Sequence, residues 1–177
     1  TAKGAIVEIG AYVGGSTIAM SRGVRDSGRA TPMFTIEPGG AHLSHPDLPS
    51  NDIFGDLVAN LRHRGLDPYV TLLRGRSSDP EIVGAVRAAL AERRMQIGLL
   101  CIDADGHVQR VLDLYLPLCA HGWVVVRDDY RGPPENIKAD LTQPPVDALV
   151  ASGRAREIGV FGWGTWIGLY TPGAACR

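Results

Sequence analysis

The sequence predicts an α/β protein built on a doubly wound sheet of about seven strands, mostly parallel, that closes in a C-terminal antiparallel hairpin. Three observations carry this expectation. Short apolar runs alternate with helical patterns along the chain. The runs are continuously apolar rather than alternating, as strands covered on both faces are. Two β-rich runs at the end are separated only by Gly162-Trp163-Gly164, a turn-length spacer. With 177 residues, 45% hydrophobic and 21% charged, the chain has apolar material for one core, and a single domain is expected.

Taken in order, Ala5–Ile9 reads as the first strand. The turn carrying Gly10, Gly14 and Gly15 reverses the chain into a helix over 16–26, with Ser16 or Thr17 as N-cap. Residues 33–36 form a short second strand that runs into Glu37-Pro38-Gly39-Gly40. After a loop over 41–49, Ser50 or Asn51 caps a helix whose Ile53, Leu57, Val58 and Leu61 share one face before Gly65 stops it. Residues 69–73 are the third strand. Ser78-Asp79-Pro80-Glu81 then reads as a capping box with proline at the first helical position, opening a helix with Ile82, Val86, Ala89 and Leu90 inward.

Ile97–Ile102 is the fourth strand and ends in Asp103-Ala104-Asp105-Gly106-His107. The following helix puts Val108, Val111, Leu112, Tyr115 and Leu116 on one face, and Pro117 and Gly122 close it. The fifth strand, 123–126, ends in Arg127-Asp128-Asp129-Tyr130. Proline-rich loops flank a weaker helix over 139–152, and the hairpin follows over 158–161 and 165–170.

In open sheets of this kind ligands bind over the carboxyl ends of the strands. Those ends hold Glu8 with the glycine turn, Glu37, Ser77-Ser78-Asp79, Asp103 with Asp105, and Asp128 with Asp129. Acids gathered at one edge repel one another, so their placement points to a site. A formal charge of −1 gives no general field for nucleic acid or an anionic membrane, and no stretch approaches the ~20 apolar residues of a membrane helix. A small-molecule partner is therefore expected, with neither nucleic acid nor membrane. Self-association into a homo-oligomer is compatible with this reading.

The three cysteines, Cys101, Cys119 and Cys176, show neither metal spacing nor an even disulfide framework, and the cytoplasm is the expected compartment. Thr1 is not a natural start, and residues upstream of it are expected to be missing. His42 and His45 have a suggestive spacing, but a proline-containing surface loop accounts for them better than a metal does.

The segment VEIGAYVGGST resembles the first motif of class I S-adenosylmethionine-dependent methyltransferases, and FTIEP the second, whose acid holds the ribose hydroxyls. LLCIDADGHVQRVLDLYLPLCAHGWVVVRDDY is similar to the strand four, helix, strand five segment of the small metal-dependent O-methyltransferases. That group includes the macrocin-type sugar methyltransferases of antibiotic biosynthesis and, more distantly, the catechol and caffeoyl-CoA types. The closing GTWIGLY resembles its last strand, so the likeness runs from Gly4 to Tyr170.

This resemblance implies a Rossmann-like fold, S-adenosylmethionine, a divalent cation such as Mg²⁺, and transfer of a methyl group to a hydroxyl of a sugar or phenol. The positions it points to for the cofactor are Glu8, Gly10, Ala11, Tyr12, Gly14, Ser16, Thr17, Glu37, Ser77, Ser78 and Asp103. For the metal they are Asp103, Asp128 and Asp129, and for the general base Asp105. Where the catechol types have a lysine just after this motif, the chain has Gly106 and then His107, which makes His107 a rival to Asp105. The turn has the spacing G-x-x-x-G, placing Tyr12 in mid-loop.

A NAD-dependent dehydrogenase would share the glycine turn and the acid after strand two, but its fingerprint G-x-G-x-x-G is absent. The other alternative is a non-catalytic scaffold subunit, expected if Tyr12 blocks the cofactor pocket.

Overall fold

The computed structural model describes residues 4–104, 108–132 and 137–171. Its strands are β1 (Ala5–Ile9), β2 (Met33–Glu37), β3 (Thr71–Arg74), β4 (Ile97–Ile102), β5 (Cys119–Arg127), β6 (Ala155–Phe161) and β7 (Thr165–Tyr170). Its helices are α1 (Gly15–Asp26), α2 (Ile53–His63), α3 (Pro80–Glu92), α4 (Val108–Tyr115) and α5 (Ile137–Ala151). The seven strands make one sheet in the order β3-β2-β1-β4-β5-β7-β6. β1 to β5 run parallel, and β7 lies antiparallel between β5 and β6.

This order has a switch point. The chain winds outward from β1 through β2 to β3, then returns to lay β4 on the other side of β1, which is where an open sheet leaves a crevice. Hydrogen bonds continue past the strand ends and fix the tips there. Asp103 N–H donates to the Ile9 carbonyl (2.8 Å), Gly10 N–H to that of Ile36 (3.0 Å), and Asp128 N–H to that of Ile102 (3.1 Å). Neighbouring tips are thereby locked in register.

The core follows the apolar pattern. Val7, Ile97, Leu100 and Ile102 are fully buried in the central strands, in one cluster with Val86 and Leu90 of α3 and Val111, Leu112 and Tyr115 of α4. A smaller cluster of Ala11, Leu57, Leu61 and Leu66 seals α2 against the glycine turn. Among the described residues, no helix is long and apolar enough to cross a membrane.

Element ends differ from the local reading where tertiary partners intervene. β5 begins at Cys119, because Ile97 of β4 pairs there, and Gly122 lies inside the strand instead of closing a helix. A 3-10 turn at Asp67–Tyr69, with Pro68 in its first turn, delays β3 to Thr71. Asp52, not Ser50 or Asn51, caps α2 through the Gly55 N–H (3.1 Å), while the Ser50 hydroxyl donates to Asp56 (2.6 Å).

The capping box at Ser78 does not form. Asp79 is the N-cap of α3, and its carboxylate turns back to the Arg76 N–H (2.8 Å). Gly14, in the left-handed region (φ 98°), stands at the N-cap of α1 in place of Ser16 or Thr17. α5 runs through Pro144 and Pro145, each lacking the N–H of a regular turn, and buried Val146 and Leu149 hold it on the sheet.

Candidate active site

Glu37 ends β2 almost fully buried, and its carboxylate organises the turn after β1. One oxygen accepts the N–H groups of Ala11 (3.1 Å) and Tyr12 (2.9 Å), and the other accepts that of Gly39 (2.9 Å). A carboxylate has about four acceptor positions, so about one remains for a ligand. Gly10 has φ 84°, and a Cβ there would collide with the Asp103 carbonyl. Glycine is required at this point because the tip of β4 passes against the turn.

Tyr12 takes a left-handed backbone (φ 51°) and turns its ring toward the loop over 41–50. The ring stacks on His45 with centroids 5.2 Å apart and meets His42 edge-on at 5.9 Å, and the hydroxyl donates to the Leu48 carbonyl (2.6 Å). Paired backbone bonds between His42 and Ser50 close the base of that loop. His45 Nδ1 accepts the N–H of Asp47 (3.2 Å) and of Leu48 (3.0 Å), so the imidazole itself shapes the loop.

Glu8 sits fully buried beside this turn. Its carboxylate accepts from the hydroxyls of Ser16 (2.5 Å), Thr17 (2.6 Å) and Thr35 (2.8 Å). Burial pushes its pKa up, and the three hydroxyl donors oppose that rise. The cluster fastens α1 to β1 and β2.

At the tips of β4 and β5, Asp103, Asp128 and Asp129 each offer a carboxylate oxygen, all within 4.8 Å of one another. Successive strand residues point to opposite faces. The left-handed backbone of Asp129 (φ 51°) breaks that alternation, so both members of the pair reach Asp103. Burial first, then the charges of Asp128 and Asp129, push the Asp103 carboxyl up to about 7, against the pull of Lys138 and Arg127. Asp128 accepts the Thr165 hydroxyl of β7 (2.6 Å), and Lys138 lies 3.5 Å from Asp129. Three hard oxygen donors that repel one another are a donor set suited to a divalent cation such as Mg²⁺. Asp105 and His107 lie outside the described residues.

A cavity of about 690 Å³ joins these two regions, well within the size of a small-molecule site. Gly10, Tyr12, Glu37, Ser77, Ser78, Asp103, Asp128 and Asp129 line it, whereas Glu8, Ala11, Gly14, Ser16 and Thr17 do not. The Tyr115 hydroxyl of α4 donates to the Ser77 carbonyl (2.9 Å) and so holds the tip of β3 at the cavity wall.

A profile described as a methyltransferase domain matches residues 7–130. The chain belongs to the methyltransferase domain family. It is an S-adenosylmethionine-dependent methyltransferase on a Rossmann-like sheet. A Staphylococcus aureus protein assigned as a caffeoyl-CoA O-methyltransferase superposes with TM-score 0.66 at 15% identity, over 94% of this chain and 76% of that one. CalS11, a calicheamicin methyltransferase, superposes with TM-score 0.64 at 19% identity, over 94% and 72%. The SAH-bound Podospora anserina methyltransferase PaMTH1 gives TM-score 0.60 at 16% identity, over 94% and 71%. At such identities the likeness is one of fold. A search of curated proteins finds no match.

The methyltransferase also lines its cavity with His42, His45, Arg76, Arg110 and Lys138, which the sequence reading did not place there. The histidine spacing was visible, but only the fold packs both rings against Tyr12, His45 stacked and His42 edge-on. Arg76, next to Ser77 at a strand tip, carried a positional signal; Arg110 and Lys138 carried none. Tyr12 forms one wall and leaves the cavity open, so the blocked pocket expected of a scaffold is not what the fold presents.

Proposed function

We propose that this methyltransferase, acting as a single domain, transfers the methyl group of S-adenosylmethionine to a hydroxyl of a small sugar or phenol bearing two adjacent hydroxyls. Asp103, Asp128 and Asp129 would hold a divalent cation beside the acceptor. The observation that carries this reading is the convergence of three carboxylates at the β4 and β5 tips, in the same cavity as Glu37 and the glycine turn. β2 and β5 are three strand positions apart in the sheet, roughly 14 Å at ordinary spacing, which leaves room for a donor and an acceptor side by side.

Glu37 would offer its remaining acceptor capacity to the ribose hydroxyls, and Ser77 or Ser78 a polar edge to the adenine. A sulfonium methyl is already activated, so the chain's tasks are alignment of the acceptor oxygen and removal of one proton. When bound, a divalent cation supplies the positive charge that makes a neighbouring hydroxyl easier to deprotonate. Asp105 or His107 would take the proton. CalS11 is described as a TDP-rhamnose 3′-O-methyltransferase, which supports a sugar hydroxyl as one acceptor class.

The test is methyl transfer from labelled S-adenosylmethionine to vicinal-diol sugars and catechols, with Mg²⁺ or with EDTA. Turnover should require the cation. Asp128→Asn and Asp129→Asn should each lower it about tenfold or more while S-adenosylmethionine affinity stays within about twofold, because the ion serves the acceptor. Full turnover in excess EDTA, or wild-type turnover in both variants, would sink the cation-assisted reading.

A further inference from the structure

We propose that Arg127 is a positioning residue for the carboxylate triad. Its buried guanidinium grips the backbone on both sides of Asp103 and ties it to α5, so that Asp103 stands where Asp128 and Asp129 can share a cation with it. This inference rests on the cation-assisted reading above.

Arg127 is the last residue of β5, pairs in register with Ile102, and is only 2% exposed. A strand covered on both faces ordinarily places an apolar side chain at such a position, as it does at Val125 two residues earlier on the same face. A guanidinium there gives up its hydration and is tolerated only if hydrogen bonds replace it. Nη1 donates to the Ile102 carbonyl (2.7 Å), and Nη2 donates to the Ala104 carbonyl (3.4 Å) and to the Thr142 hydroxyl (2.8 Å).

The two carbonyls belong to the residues immediately before and after Asp103. The Asp103 N–H is itself bonded to Ile9 of β1, so its backbone is held from both neighbouring strands. Thr142 is fully buried and passes the link on by donating to the Lys138 carbonyl (2.8 Å), one helical turn earlier. Lys138 is the residue whose ammonium faces Asp129. One planar fork thus connects the supports of all three carboxylates: Asp103 through its flanking carbonyls, Asp128 as the next residue, and Asp129 through α5. A lysine, with a single compact ammonium, cannot span the same acceptors.

A simple counter-charge role makes the opposite prediction. As a cation beside the triad, Arg127 would repel a divalent ion whichever basic residue carried the charge, so lysine in its place would leave metal binding unchanged or tighter; as a positioning group, loss of its fork weakens binding. Titration of the full chain with Mn²⁺, followed by the electron paramagnetic resonance of the free ion, separates the two. It runs beside calorimetry with S-adenosylmethionine and thermal unfolding.

Arg127→Lys keeps the charge and loses the fork. It should bind Mn²⁺ about tenfold or more weakly, with S-adenosylmethionine affinity within about twofold and kcat lowered at unchanged KM for the donor. Thr142→Val removes one arm of the fork and leaves the arginine in place. It should shift Mn²⁺ affinity the same way by less, and decides the matter alone if Arg127→Lys does not fold. Unchanged or tighter Mn²⁺ binding in the folded variants overturns the inference while leaving the cation reading standing. A wild-type protein that binds no Mn²⁺ overturns both.

Discussion

Replacing Glu37 by glutamine separates two uses of one carboxylate. Both oxygens already accept backbone N–H groups, from Ala11 and Tyr12 on one side and Gly39 on the other. Glutamine has one carbonyl oxygen, so whichever way its amide turns, its NH₂ faces a backbone donor. The less costly orientation keeps Ala11 and Tyr12 on the oxygen and points the NH₂ at Gly39. One charge-assisted bond is then lost against a buried donor, a cost of about 1.5–3 kcal/mol. For a chain of this length that lowers the melting temperature by roughly 3–12 °C. The turn carrying Gly10 loosens with it, and a neutral amide is the weaker acceptor for a ribose, so S-adenosylmethionine affinity should fall about tenfold. Thermal unfolding without cofactor reads the first effect, and titration calorimetry reads the second. A variant that melts like the wild type and binds the cofactor equally well would refute the reasoning. Loss of stability with full affinity would confine Glu37 to shaping the turn.

Two further predictions concern Asp103 and Glu8. In metal-free protein the Asp103 carboxyl titrates near 7 when folded, above its ordinary 3.8, so the folded state holds the proton more tightly than the unfolded state. The stability this confers is complete below the ordinary value and is lost as pH rises through about 7. The difference is worth at most about 4 kcal/mol, reduced by solvent screening at a partly exposed carboxyl to about 2 kcal/mol. Between acid and neutral pH the wild type should therefore lose that much more stability than Asp103→Asn, and Mg²⁺ should recover it; parallel pH curves for the two proteins would overturn this account of the triad. Glu8→Ala should cost about 3 kcal/mol or more in denaturant unfolding, because it strands the buried hydroxyls of Thr17 and Thr35 and opens a void. Since Glu8 does not line the cavity, the folded variant should bind S-adenosylmethionine as the wild type does, and a folded variant that has lost binding would return Glu8 to the site.

The order of strands and helices, the inward face of α4, the closing hairpin and the row of polar residues at the strand tips were legible in the sequence. These are written in spacings of a few residues: period and apolar continuity set the elements, and the right-handed crossover rule then stacks parallel strands with their tips along one edge. Even the neighbourhood of Asp103 with Asp128 and Asp129 was legible in this way, since one short connection joins β4 to β5. How individual polar groups are used depends on packing between distant parts of the chain. Ser16 and Thr17 look locally like helix caps, yet a buried carboxylate eight or nine residues back is the stronger claimant for their hydroxyls. Ser78 looks like half of a capping box, but the backbone turns so that Asp79 takes the cap position. Cys119 joins β5 because β4 offers it a partner, not because of its own propensity. His42 and His45 line the cavity packed against Tyr12, some thirty residues earlier, one edge-on and the other stacked. Arg127 reads in the sequence as a charged residue ending a strand, and only packing buries it across the carbonyls that flank Asp103. The division has one physical cause: periodicity is a property of neighbouring residues, whereas the partner that satisfies a buried charge or hydroxyl comes from wherever the fold brings an acceptor or donor within about 3 Å.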